Sequence, residues 1–410
     1  MGEFSVIDGG VNAAKGFMAA GVAAGVKYTG RKDMALVYSK EPCVVAGTFT
    51  SNIVKAAPVK WDMQIVEKAV PVHAIVVNSG IANAATGTEG IKACENTAKK
   101  AAQVLNIPED SVLVGSTGVI GNQLPMDKIY AGIESLSSIL RDDRQGAADA
   151  EAAIMTTDTV PKEIAVKLTI GGKEVTIGGM SKGSGMIHPN MCTMLAYICT
   201  DCNISKEMLT KIVKEDIKDT FNMITVDGDT STNDTYLVLA NGLADNTIID
   251  NEGEDYENFR NALHYVNEYL ARNMAKDGEG ATTLFETKVV NAKSKADARV
   301  LAKSVVGSAL CKAAIFGKDA NFGRFLCALG YSGADFDPDD IELYYQSSVG
   351  SVLVFEKGTP IEFDEDEVVK ILSEDEVTIL VDMHEGDASA TAWGCDLSYD
   401  YVKINADYRS

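Results

Sequence analysis

The sequence has few positive charges, few cysteines for its length and no long apolar run. Lysine and arginine total 37 against 59 aspartate and glutamate residues, which gives a net charge of −22 over 410 residues. A chain this acidic is not expected to bind nucleic acid or an anionic membrane surface. Eight cysteines are too dilute for a disulfide scaffold, and no apolar run approaches the roughly 20 residues of a membrane-spanning helix. We therefore expect a cytoplasmic protein with reduced thiols.

Strand-like runs alternate with amphipathic helix patterns along the chain, which predicts a layered α/β or α+β fold. Val-rich and Ala-rich runs predict strands at 35–39, 44–50, 73–78, 111–115 and 194–198, and residues 163–176 form a predicted hairpin that turns at Gly171-Gly172. Helical spacing predicts helices at 88–105, 126–140, 206–224, 255–274 and 294–316. The last hundred residues predict strands at 341–345, 351–355, 377–382, 389–392 and 399–405. A composition shift near residue 285 is the best candidate for a domain boundary.

The most unusual segment is 178–201, GGMSKGSGMIHPNMCTMLAYICTD. It combines a glycine-rich turn with Lys182 and ends in Cys192-Thr193 ahead of an apolar run. The glycines allow backbone conformations that are closed to other residues and leave room for a ligand. The segment lacks the glycine spacing of a phosphate loop or a dinucleotide-binding turn.

Thr193 would acquire catalytic chemistry if the peptide bond before it were cleaved. An N-terminal threonine has an α-amine with a pKa of about 7.7–8.0, close enough to its own hydroxyl to accept the proton at neutral pH. Within this segment alone, a buried threonine that begins a strand is the favoured interpretation.

Further motifs occur in order from the first third of the chain to its end. They are STGVIG at 116–121, MTTDT at 155–159, TVDGDTSTND at 225–234, DGEGAT at 277–282, GKDANFGR at 317–324 and WGCDLSYDYVKINADYRS at 393–410. Together with the segment around Thr193, they closely resemble the ornithine acetyltransferases (glutamate N-acetyltransferases) of arginine biosynthesis. These enzymes process themselves and use an N-terminal threonine.

The resemblance implies a self-cleaved chain and a set of site residues. Cleavage falls between Cys192 and Thr193, so that 1–192 forms one chain, 193–285 completes the catalytic domain and 286–410 is a smaller C-terminal α/β domain. The implied catalytic fold is an αββα sandwich that resembles N-terminal-nucleophile enzymes. The implied site comprises Thr193 as nucleophile, the Thr117 hydroxyl and Gly118 N–H as oxyanion hole, and Thr156, Lys182, Thr193, Glu279, Asn405 and Ser410 as substrate contacts.

The implied reaction moves an acetyl group between two amino acids in a ping-pong cycle. Thr193 takes the acetyl group from N2-acetyl-L-ornithine and passes it to L-glutamate, with Lys182 and Glu279 matching the carboxylate and ammonium groups of such substrates. No metal or coenzyme is needed, and the sequence leaves open whether acetyl-CoA also serves as donor. The family's usual assembly contains two copies of each fragment.

Two positions depart from the family. Cys192 stands where the family often has alanine, and its thiol could alter the rate of cleavage. Ser410 replaces a common terminal threonine and keeps the hydroxyl group.

Two other functions remain open at this stage. An amidohydrolase or aminopeptidase would use the same nucleophile but pass the acyl group to water, and a non-catalytic binding protein would stay uncleaved.

Other sequence motifs give weaker indications of a functional site. Cys199 and Cys202 form a lone CxxC match without the four ligands of structural zinc, His188 is not needed as a base, and the acidic group Asp227, Asp229 and Asp234 lacks the final glutamate of a calcium loop.

Overall fold

The structure, a computed structural model, describes residues 4–188 and 194–407. The strands are β1 (Phe4–Ile7), β2 (Phe17–Val22), β3 (Met34–Phe49), β4 (Val72–Asn78), β5 (Val112–Ser116), β6 (Lys162–Ile170), β7 (Lys173–Lys182), β8 (Leu195–Thr200), β9 (Ile224–Thr225), β10 (Thr235–Ala240), β11 (Leu284–Ala292), β12 (Glu342–Ser347), β13 (Gly350–Glu356), β14 (Thr359–Pro360), β15 (Glu376–Asp382) and β16 (Ala388–Cys395). The helices are α1 (Ala57–Lys68), α2 (Gly87–Leu105), α3 (Met126–Ser138), α4 (Arg144–Ile154), α5 (Lys206–Asp216), α6 (Glu254–Lys276), α7 (Lys295–Gly307), α8 (Ala309–Gly317), α9 (Phe322–Gly330), α10 (Glu365–Leu372) and α11 (Tyr399–Ala406).

The chain divides into two compact units. The first consists of Met1–Gly183, Pro189–Lys218 and Thr230–Leu270, and the second of Ser184–His188, Asp219–Asp229 and Ala271–Ser410. Both units mix helices with one sheet each, so the α/β class predicted from the alternating patterns is confirmed.

The sheet of the first unit depends on one long strand. Its order is β1-β6-β7-β8-β10-β3-β4-β5, with β2 also paired to β3. Met34 to Ser39 of β3 pair with β2, and Met34 to Tyr38 also pair with β4, whereas Val44 to Phe49 pair with β10. Two separate strands were predicted here, at 35–39 and 44–50, on either side of Lys40, Glu41 and Pro42. These three residues are exposed within a continuous strand, so their polarity marks a solvent-facing stretch and no break.

The two halves of this sheet pack against each other and carry helices on their outer faces. A Cβ atom on Gly115 of β5 would lie 2.1 Å from the Tyr197 hydroxyl of β8, which places these strands face to face. On one outer face, α2 and α3 share a buried cluster with β3 and β4. On the other, Val266 and Leu270 of α6 lie against Gly179 of β7. This is the αββα sandwich that the resemblance implied.

The second unit is built on a seven-stranded sheet in the order β14-β13-β12-β15-β11-β16-β9. Helix α7 packs against β11 and β16 through a buried face that includes Leu301 and Val305. Phe325 of α9 contacts Phe285 and Tyr345, with ring centroids 6.1 and 5.6 Å apart. The β-rich character predicted for the last hundred residues is confirmed, apart from its final segment.

Three other predicted elements differ from the structure. The helix predicted to run to residue 224 ends at Asp216, ahead of a short 3₁₀ turn and β9. The helix predicted over 294–316 is divided at Ser308, whose extended backbone ends α7 and whose side chain accepts a hydrogen bond from the Cys311 N–H of α8. The strand predicted at 399–405 is helix α11, because the Ser398 side chain accepts a hydrogen bond from the Tyr401 N–H and starts a helix there.

The expectations of reduced thiols and of no membrane-spanning helix can be compared with the structure. Seven cysteines lie in the described part of the chain and all are free, six of them buried. Cys199 and Cys202 are among the buried ones. In residues 4–188 and 194–407, no single helix is long and apolar enough to cross a membrane, although α7 and α8, bent by 58°, meet the length and composition test as a pair.

Candidate active site

The turn after β5 holds the two residues predicted to form an oxyanion hole. The Thr117 N–H donates to the Asn78 carbonyl at 3.0 Å, and the Val119 N–H donates to the Gly80 carbonyl at 3.1 Å. Gly118 between them has φ +126°, and a Cβ atom there would lie 2.3 Å from the Gly80 carbonyl carbon. Only glycine fits this backbone. The Gly118 N–H has no acceptor among the described residues.

Hydrogen bonds from buried polar side chains hold this turn in place. The Ser116 hydroxyl donates to the Asn78 side-chain oxygen at 2.6 Å, and the Asn78 amide donates to the Ile81 carbonyl at 2.8 Å. The Asn233 amide donates to the Ser116 carbonyl at 2.8 Å. A hydroxyl and an N–H on a turn held this firmly can act as fixed donors, which is the requirement for stabilising an oxyanion.

Lys182 joins two of the predicted site residues to one another. It is the last residue of β7, and the residue is only 6% exposed. Its ammonium donates to the Thr156 hydroxyl at 2.8 Å and lies 3.4 Å from the Thr117 hydroxyl. The structure therefore brings together three residues that are 39 and 26 positions apart in the sequence.

Asp158 balances the charge of this buried group. Its carboxylate accepts hydrogen bonds from the Lys162 ammonium at 2.8 Å and from the Gly183 N–H at 2.7 Å, and it lies 3.8 Å from the Lys182 ammonium. Burial raises the pKa of Asp158, but the charges of Lys182 and Lys162 outweigh that effect and hold the pKa well below its usual range. The carboxylate is therefore ionised at neutral pH and keeps Lys182 in place.

The register of β8 brings the chain that follows residue 193 to the same group. Leu195, the first residue of β8, pairs with Lys182 in the antiparallel ladder and with Thr235 of β10 in the parallel one. The predicted cleavage residues Cys192 and Thr193 lie outside the described residues, and so does Ser410.

The second unit contains the other predicted pair. The Asn405 amide of α11 donates to the Glu279 carboxylate at 2.7 Å. Glu279 is 6% exposed, and its N–H donates to the Ser184 carbonyl at 2.8 Å. A Cβ atom on Gly185 would lie 2.2 Å from the Glu279 carboxyl carbon, so the glycine makes room for the acid. This pair offers an anion and a neutral amide to a ligand.

His188 and Asp227 hold the glycine-rich segment in the second unit. The Asp227 carboxylate accepts hydrogen bonds from the Met186 and Ile187 N–H groups at 2.7 and 2.8 Å. His188 Nδ1 lies 3.0 Å from the Thr225 hydroxyl. Burial lowers the pKa of His188 to about 4, with a smaller contribution from the charge of Lys303. In the described part of the chain, no group of three or more His, Cys, Asp or Glu residues is placed to hold a metal ion.

Several residues of this site received no role from the sequence. Asp158 and Asn233 both lie within recognised motifs, at 155–159 and 225–234, but a motif does not tell which of its members faces the site. Lys162 lies outside every motif. Lys162 and Asp158 form a buried ion pair. The spacing of four residues between this acid and this lysine is the one local sequence feature that could have indicated the pair.

Comparison with known proteins identifies one family. The ArgJ family matches residues 18–410. The "Arginine biosynthesis bifunctional protein ArgJ" of Caldanaerobacter subterraneus subsp. tengcongensis is 52% identical over 405 residues, which covers 99% of this chain and all of the relative. The protein of the same description from Thermotoga neapolitana is 50% identical over 397 residues, 97% of this chain and 99% of the relative. A solved structure of ornithine acetyltransferase from Mycobacterium tuberculosis, complexed with ornithine, is 40% identical, covers 47% of this chain and 100% of its own, and has a TM-score of 0.43.

Proposed function

The chain belongs to the ArgJ family, and we propose that it transfers the acetyl group of N2-acetyl-L-ornithine to L-glutamate in arginine biosynthesis. The observation that supports this proposal best is the hydrogen-bonded group of Lys182, Thr156 and Thr117, with Leu195 of β8 paired to Lys182. Distant parts of the chain meet here next to a turn with fixed donors. Relatives that match almost the whole chain are named arginine biosynthesis proteins.

The proposed nucleophile is Thr193 after cleavage of the Cys192–Thr193 bond. Cleavage would release an α-amine with a pKa of about 7.7–8.0 beside the Thr193 hydroxyl. The amine takes the hydroxyl proton while the hydroxyl oxygen bonds to the acetyl carbonyl carbon. The negative charge that develops on the carbonyl oxygen is stabilised by the Thr117 hydroxyl and the Gly118 N–H.

The two half-reactions use the same steps in opposite directions. Collapse of the first tetrahedral intermediate breaks the bond to the ornithine nitrogen, which takes the proton from the Thr193 amine and leaves acetyl-Thr193. The glutamate amine then attacks this ester and loses a proton to the Thr193 amine. Collapse of the second tetrahedral intermediate breaks the ester bond, the Thr193 oxygen takes that proton back, and N-acetylglutamate leaves. Each step exchanges an acyl group and a proton, so the scheme requires no metal or coenzyme.

The proposed substrate contacts differ in charge. Lys182, together with Thr156, would bind the substrate carboxylate, and Glu279 with Asn405 would bind an ammonium group. Ser410 completes the proposed set of contacts. We further propose that fragments 1–192 and 193–410 remain associated as two copies of each, and that the enzyme is cytoplasmic, in keeping with seven free cysteines in its described residues.

The proposal is tested with Thr193→Ala and its matched control Thr193→Ser. Thr193→Ala should stay a single uncut chain and show no activity, whereas Thr193→Ser keeps a hydroxyl and should still be processed. Intact mass spectrometry reads cleavage, and the same spectra show a gain of one acetyl group on fragment 193–410 when acetylornithine is added to the wild type. Two fragments from Thr193→Ala, or full activity from an unbroken wild-type chain, would contradict the mechanism.

The same assay separates transfer from hydrolysis. Wild-type enzyme with acetylornithine should form N-acetylglutamate when glutamate is present. Steady release of acetate at the same rate without glutamate would instead identify an amidohydrolase. Because the relatives are named bifunctional, acetyl-CoA is to be tried as a second donor under the same conditions.

A further inference from the structure

The loop between β2 and β3 is closed by hydrogen bonds to Asp33. Buried Asp33 accepts hydrogen bonds from the Ala24 N–H at 2.7 Å and from the Val26 N–H at 2.6 Å, which ties the end of the loop to its start. The Asp33 carbonyl accepts a hydrogen bond from the Ser79 N–H at 2.9 Å. The loop is thus fastened to the segment that precedes Gly80.

This loop packs beside two of the segments of the first unit that carry candidate site residues. A Cβ atom on Gly80 would lie 2.8 Å from the Lys27 Cβ atom, so Lys27 packs directly on Gly80, which in turn packs on Gly118. On the other side, the Arg31 guanidinium donates to the Met155 and Thr156 carbonyls at 2.6 and 2.7 Å. Only Gly80 therefore separates Lys27 from Gly118 of the proposed oxyanion hole. Arg31 holds the backbone of Thr156, a proposed substrate contact.

The loop also carries two cations without an acidic partner. The Lys27 ammonium lies 5.2 Å and the Arg31 guanidinium carbon 5.3 Å from the centroid of the Tyr28 ring, so both cations lie near the same aromatic side chain. Neither forms an ion pair with a described residue, in a chain with 59 acidic and 37 basic side chains. Lys32 in the same loop is paired with Asp149. Arg31 uses one nitrogen for the two carbonyls and keeps further N–H donors.

We propose that Lys27 and Arg31 form an anion-binding subsite for the second carboxylate of the acyl acceptor. This subsite rests on the proposed function and would select glutamate as the acyl acceptor. Lys182 can serve only one carboxylate, because its ammonium is already shared with Thr156 and Asp158. A dicarboxylic amino acid needs a second cation, and this loop carries two of them. Lys27 packs on Gly80, beside the turn, and Arg31 binds the Thr156 carbonyl.

The test compares glutamate with glutamine, which has the same shape and lacks the second charge. Wild-type enzyme should prefer glutamate over glutamine in kcat/KM by roughly 10- to 100-fold, the range expected for one hydrogen bond to a charged group. Lys27→Met keeps the length of the side chain and should lose most of this preference, mainly through a higher KM for glutamate. Lys27→Arg should restore the preference. Lys32→Met, which removes a charge already paired with Asp149, is the matched control and should leave the preference unchanged.

Formation of acetyl-enzyme from acetylornithine is measured in parallel on the fragment 193–410. If the wild type forms no acetyl-enzyme, both the proposed function and the subsite are wrong. If it forms acetyl-enzyme but does not distinguish glutamate from glutamine, or if Lys27→Met weakens both acceptors equally, only the subsite is wrong. A Lys27→Met defect confined to acetyl-CoA as donor would assign the cations to its phosphates and overturn the carboxylate assignment.

Discussion

At the scale of single residues, Lys182 illustrates how a buried charge becomes usable. Burying a cation without an acidic partner is unfavourable, and removing one member of a buried ion pair typically destabilises a protein by about 3–5 kcal/mol. Asp158 lies 3.8 Å from Lys182 and accepts hydrogen bonds from Lys162 and from two backbone N–H groups. The ammonium can therefore stay charged in the interior and face two threonine hydroxyls.

Thr117 allows a test of the proposed oxyanion hole. Thr117→Ala removes one fixed donor, and we expect kcat to fall by roughly 10²- to 10³-fold with a much smaller change in KM, because the oxyanion forms only in the transition state. Thr117→Ser keeps the hydroxyl and should retain most of the activity. Steady-state kinetics with acetylornithine and glutamate give both constants. Equal losses in the two variants would indicate that the methyl group matters and the hydroxyl does not.

At the scale of secondary-structure elements, short polar caps decide where helices lie. Ser205 is the N-cap of α5, and its side chain accepts a hydrogen bond from the Met208 N–H. Ser398 starts α11 in the same way and also donates to the Gly280 carbonyl at 2.6 Å. This cap overrides the strand-like composition of residues 399–405 and places Asn405 on a helix, where its amide reaches Glu279.

Ser398→Ala tests the link between this cap and the proposed substrate contact. Loss of an N-cap costs about 0.5–2 kcal/mol of stability, and we expect a raised KM for the amino-acid substrates because α11 carries Asn405. Ser294→Ala removes the cap of α7, where the Ser294 hydroxyl accepts a hydrogen bond from the Asp297 N–H. The control should lose similar stability without a change in KM. Thermal unfolding and steady-state kinetics on both variants decide, and an unchanged KM in Ser398→Ala would separate the cap from binding.

At the scale of the whole molecule, the dominant property is a net charge of −22. Self-repulsion of this size opposes the compact state. Most of the ion pairs in the described residues lie at the surface, where each contributes little. The excess of negative charge also makes the unpaired cations of the loop after β2 stand out as a place where an anion can approach.

Salt should therefore stabilise the folded protein. Raising the ionic strength from about 0.01 M to about 0.15 M shortens the screening length from roughly 30 Å to roughly 8 Å, and we expect Tm to rise over this range. Differential scanning calorimetry with sodium chloride and with potassium chloride should give the same increase, since the effect depends on ionic strength alone. A constant or falling Tm would show that favourable ion pairs outweigh the repulsion.

The sequence by itself determined the local elements and the family. Helical and alternating periodicities predicted most elements, the Gly171-Gly172 turn between β6 and β7 was confirmed, and the ordered motifs identified the relatives, because all of these depend on neighbours in the chain. Only the tertiary structure decided that β3 is continuous, that Asp158 contacts Lys182 and Lys162, and that the loop of Lys27 lies on Gly80. These depend on contacts between residues far apart in sequence, whose burial and charge no local pattern encodes.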